Sequence, residues 1–257
     1  MKSLKLHFES LLDDDDVFLD SGNEKKLVEE WIRNNYKIDG NLTISDDLIV
    51  DCNNVVKVKN KSITSLTNGL FRWGKVDRDF DCSCCNNIKN LEGAPKKVGG
   101  RFWCNACDGL ETLKGAPKEV IGMFSCSQCN KLTSLKGSPE KVGGSFYCGE
   151  CKNLTSLEGA PEKVGGYFSC SHCDKLETLK GAPEYVGKDF NCIMCNDLIS
   201  LEGAPKKVGW NFNCNQCDNL ESLKGAPKEV GWNFYCWGCE NLKIADSDRK
   251  KYKIVKK

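Results

Sequence analysis

Phenylalanine returns every 22 residues, at Phe80, Phe102, Phe124, Phe146, Phe168, Phe190, Phe212 and Phe234. Each opens the string F-x-C-x-x-C-x-x-[LI], and the first seven copies continue as x-x-L-x-G-[AS]-P-x-x-V. Sixteen of the 18 cysteines fall in the two cysteine columns. All seven prolines fall in the Gly-Ala/Ser-Pro column, from Pro95 to Pro227. Phasing this strict confines the chain to a stack. One unit cannot bury its apolar side chains alone, whereas identical units laid one on another turn each column into a continuous ladder.

The unit from Gly144 to Pro161 shows the local logic. Phe146 and Cys148 are two apart and share one face of a strand, while Tyr147 and Gly149 point the other way. Cys151, Leu154 and Leu157 are three apart, a spacing that suits a turning chain with one side held inward. Gly-Ala-Pro breaks any regular element. Val164 returns to the interior, and Gly165-Gly166 allow the turn into the next strand.

These residues resemble the leucine-rich repeat family, whose pattern is L-x-x-L-x-L-x-x-N/C-x-L. Phe146 and Cys148 take the strand positions and Cys151 the Asn/Cys position. Leu154 comes one residue late, and Val142 lies four residues before Phe146 instead of three. The resemblance covers Phe80 to Leu242, eight repeats. It implies a β-rich solenoid, a horseshoe or arc with parallel strands on the concave face, irregular return arms and a small N-terminal helical cap. The G-A-P-x-x-V-G-G arm is also similar to repeat proteins of large tailed bacteriophages and some bacteria. That likeness implies a phage-like protein that binds and interferes with a host protein in the host cytoplasm.

The flanks read as caps. Residues 1–40 carry 6 basic and 10 acidic side chains. Within them, 24–36 places Leu27, Val28, Trp31 and Ile32 on one helical face, with Asn23 as N-cap and Gly40 beyond the end. Asp13 to Asp16 read as a solvated linker. Residues 41–79 echo the repeat in degenerate form through Val56, Val58, Asn60, Ile63 and Leu66, with a bulkier layer at Leu70, Phe71 and Trp73. Residues 243–257 carry 7 basic and 2 acidic side chains and form a basic C-terminal cap or tail.

The cysteines admit more than one reading. Cys104-x2-Cys107-x18-Cys126-x2-Cys129 has the spacing of a zinc site. Every C-x-x-C is nevertheless related to both neighbours by the same step, so nothing selects which two would pair. Buried thiols explain the same spacing: the first cysteine shares the inner face with phenylalanine, and the second offers its S–H to a turn carbonyl. Disulfides between adjacent rungs, an iron–sulfur cluster and a metal- or redox-responsive array of C-x-x-C units stay open as alternatives. Cys52 and Cys84 stand outside the columns, and Cys84 is the candidate reactive thiol.

Function is expected on the strand face that points away from the core, the concave face of the resembled family. Its columns are rich in Tyr, Trp, Asn and Ser and poor in charge, a composition like that of an antibody paratope. The candidate partner-binding residues are Trp103, Tyr147, Tyr167, Ser169, Asn191, Asn213, Tyr235 and Trp237. Trp210 and Trp232 share a column and either stack on each other or extend that surface. The net charge of +1 speaks against broad nucleic-acid binding, although stacking aromatics and the lysine-rich tail leave that reading open. Only two histidines, His7 and His172, are present. No nucleophile elbow, phosphate loop, zincin motif or dinucleotide fingerprint occurs. The sequence therefore reads as a non-enzymatic module without metal or cofactor that recognises a protein partner. With no signal-peptide core and no membrane-length apolar run, it is expected in the cytoplasm.

Overall fold

The computed structural model describes residues 21–255 and is a β-solenoid. Each coil contributes two two-residue strands. One is Phe plus its successor, as in Phe146–Tyr147, and the other ends on valine, as in Lys163–Val164. Like strands pair in parallel between coils, and one antiparallel strand at the N-terminal edge of each sheet, Tyr36–Asp39 and Leu42–Ile44, completes one sheet of 11 strands and a second of 10. The register places identical residues on one another, Phe146 on Phe168 and Val142 on Val164.

The second sheet corrects the expectation of irregular return arms. Once the phenylalanine rungs are stacked at strand spacing, about 4.8 Å, the valines are stacked at the same spacing. Their backbones then meet as a ladder. The residue after valine is glycine in six of the seven regular coils, which eases this approach: a Cβ on Gly165 would lie 2.1 Å from the carbonyl oxygen of Gly143, while Ile121 takes the place in the remaining coil. A third side of each coil is tied by single backbone bonds, such as Leu157 N–H to the Lys180 carbonyl at 3.1 Å. The Gly-Ala-Pro corner depends on its glycine, since Gly159 has φ +98° and a Cβ there would lie 2.5 Å from the Leu135 carbonyl oxygen.

Inside, the Phe, Leu, Val and both cysteine columns are buried almost without exception. Neighbouring phenylalanine rings from Phe80 to Phe234 stack with centroids 4.9–5.5 Å apart. Both ends of this ring column are covered. At the start, Val56 pairs with Phe80 and Cys52 with Val76, so residues 49–58 supply the first parallel rung of each sheet. A helix, Ser21–Asn35, buries Val28 and Ile32 in the core, and Tyr36 and Trp73 set their rings against Phe80. At the other end, after a short helix Asp246–Lys251, Ile254–Val255 pairs in parallel with Phe234–Tyr235. The Tyr252 ring lies 5.0 Å from Phe234, and its hydroxyl donates to the Pro227 carbonyl at 2.5 Å. Asp13 to Asp16 and His7 lie outside the described residues. No described helix is long and apolar enough to cross a membrane.

Candidate interaction face

The cysteine columns are hydrogen-bonded as well as packed. Cys148 Sγ donates forward to the Ser169 carbonyl at 3.4 Å. Cys151 Sγ donates backward to the Cys126 carbonyl at 3.3 Å. The second kind recurs from Cys107 to Cys239 at 3.0–3.3 Å. Each coil is thus sewn to the one before it by a thiol. Burial pushes Cys82, Cys104, Cys126, Cys148, Cys192 and Cys214 well above the ordinary thiol range, and Cys151 to about 11. All 18 cysteines are thiols rather than disulfides, and Cys84 alone is exposed. Among the described residues no group of three or more His, Cys, Asp or Glu is placed to hold a metal ion.

Cys84 sits between the two cysteines of its coil at φ +60°. The equivalent residues Ala106, Gln128, Glu150, His172, Met194 and Gln216 share that left-handed backbone at φ +50° to +62°. The conformation throws position five of every coil outward and turns the second cysteine back in. His172 is exposed there.

On the outer side of the first sheet, Trp103, Tyr147, Ser169, Asn191, Asn213 and Tyr235 form one column in register. From Trp103 to Tyr235 the column runs about 29 Å at strand spacing. All six are half-buried, and Trp237, two residues beyond Tyr235, is 42% exposed. The Arg101 guanidinium lies 5.4 Å from the Trp103 ring centroid. The face is therefore built, but its polar members have structural duties. Asn213 Oδ1 accepts from the Asn215 amide at 3.1 Å, and Ser169 Oγ lies 3.2 Å from Ser171 Oγ. The Tyr235 hydroxyl accepts from Asn233 Nδ2 at 3.0 Å.

Sequence reasoning missed this fastening role. Asn105 Oδ1 accepts from the Ser127 amide at 3.0 Å, Asn211 Oδ1 from Asn233 at 3.1 Å and Asn215 Oδ1 from Trp237 at 2.9 Å, each one coil ahead. The available signal was asparagine recurring at the repeat period. Tyr167 belongs to a different cluster from the rest of the candidate set. Lys188 Nζ stands 5.0 Å from the Tyr167 ring and 5.1 Å from Trp210. Trp210 stacks on Trp232 with centroids 4.9 Å apart and planes 3° from parallel. Comparison of the chain with protein-family models, curated proteins and solved structures finds no match.

Proposed function

We propose that this chain is a non-enzymatic recognition solenoid of the leucine-rich repeat kind, binding a protein partner through the outer face of its first sheet. One observation supports the reading. Trp103, Tyr147 and Tyr235 are held on that face by strands paired on both sides, so their rings are positioned before any partner arrives, and Trp237 follows with its amide bonded to Asn215 Oδ1. Aromatic side chains on a rigid frame bring large contact area at low entropic cost. The asparagines and serines between them fix coil spacing and leave the aromatics as the anchors. The likeness of the return arm to phage and bacterial repeat proteins makes a host protein the partner to look for, in the cytoplasm. The test is quantitative capture with the intact chain against the triple variant Trp103→Ala, Tyr147→Ala, Tyr235→Ala. A partner retained by the first and lost by the second, with unchanged circular dichroism, supports the reading. Equal retention by both overturns it.

A further inference from the structure

The two sheets finish differently at the C-terminal end. The first gains a last rung from Ile254–Val255, whereas among the described residues the second stops at Glu229–Val230. Its carbonyls are registered for one more strand. One coil back, the carbonyls of Lys206, Val208 and Trp210 accept from the amides of Lys228, Gly231 and Trp232 at 3.0, 3.0 and 2.9 Å. Their counterparts on Lys228, Val230 and Trp232 meet no backbone donor among the described residues. An open groove of about 510 Å³ adjoins this edge, lined by Lys207, Gly209, Lys228, Gly231, Lys251 and Tyr252.

We propose that this edge is a strand-addition site for an extended peptide of a protein partner carrying the pattern acidic-x-Val-Gly-aromatic. Each requirement extends a column already present. Lys206 pairs with Glu184 at 2.6 Å, whereas exposed Lys228 makes no ion pair among the described residues, so a carboxylate is wanted over it. Valine continues the Val208–Val230 ladder. Glycine suits the position best because a Cβ on Gly231 would already lie 1.9 Å from the Gly209 carbonyl oxygen; one coil does take a side chain there, Ile121, its amide still bonded to the Val98 carbonyl at 3.0 Å. Trp232 is 57% exposed, with one ring face on Trp210 and no ring over the other among the described residues. An aromatic side chain completes that stack. Main-chain pairing with side-chain columns for selectivity is the physics of strand addition generally.

The chain's own arms do not satisfy the pattern, which favours a partner over a second copy. Glu140, Glu162 and Glu184 are followed four residues on by Gly144, Gly166 and Lys188. Trp210 and Trp232 are preceded at that distance by Lys206 and Lys228. The site shares no residue with the aromatic column of the first sheet, so it stands or falls separately.

The probe is the labelled peptide Gly-Ala-Pro-Glu-Lys-Val-Gly-Trp-Asn-Phe, titrated with the full chain and read by fluorescence anisotropy. Saturable binding is expected. It should weaken about tenfold when the glycine after valine is N-methylated, which removes one main-chain bond, and about tenfold when the peptide glutamate becomes lysine. Trp232→Ala and Lys228→Glu, both exposed positions, should weaken it similarly, and Trp103→Ala should not. Absence of saturation up to about 1 mM, indifference to N-methylation, or dependence on Trp103 overturns the proposal. So does sedimentation showing a dimer of the chain that Trp232→Ala dissociates, because the edge then belongs to a second copy.

Discussion

A thiol is small enough to stack on its own copy in every coil and polar enough to close a carbonyl that packing would otherwise strand. Its weakness is alkali. Burial holds Cys126 and Cys148 well above the usual 9.0 and Cys151 at about 11. A thiol whose folded pKa exceeds its unfolded value contributes fully below the unfolded pKa, and that contribution is lost as pH rises toward the folded value. Stability should therefore fall steadily between pH 9 and 11, by about 1.4 kcal/mol per pH unit for each thiol ionised only in the unfolded chain. Urea midpoints across that range check this, and a flat midpoint contradicts it. The left-handed column gives a second residue-scale expectation. Ala106 bears the cost of φ +50° that glycine avoids, so Ala106→Gly should raise stability by about 0.5–1 kcal/mol, read from the same midpoints. Burial of the Phe, Cys, Leu and Val columns was legible because each recurs at one period. The duties of Asn105, Asn211 and Asn215 were not, since they depend on which neighbouring backbone a side chain reaches.

At the scale of the element, the Phe-x-Cys strand was readable from its two-residue alternation, and the second sheet was not. Its strands are two residues long, follow a proline corner and show no alternation of their own; stacking alone creates them. Phe146→Ala removes one ring from the middle of a stack with neighbours 5.1 and 5.4 Å away. It should cost about 3–5 kcal/mol by thermal or urea unfolding. Gly165→Ala should cost about 1–3 kcal/mol by forcing two coils apart, whereas a substitution at exposed Lys163 should be close to neutral. Exposed cross-coil pairs such as Lys97–Glu119 at 2.7 Å add only tenths of a kcal/mol each, about 0.2–1.

The molecule as a whole is a column whose stability is a sum over neighbouring coils, closed by aromatic residues at both ends. Deleting residues 146–167 joins Ser145 to Phe168 in phase and should leave a folded, shorter solenoid with an unchanged circular dichroism signature per residue. Loss of cooperative unfolding in that variant would show that the coils are not interchangeable. The face on the first sheet was legible as a set of columns, while the open edge of the second became visible only once the second sheet existed. The central claim is that the cysteine columns are core. Thiol titration of the reduced protein, native and then unfolded, with metal analysis of the same sample, tests it most directly. The account predicts one accessible thiol in the native state, Cys84, all 18 on unfolding, and no stoichiometric metal. Many thiols reacting in the native state, or several zinc or iron ions per chain, would contradict it.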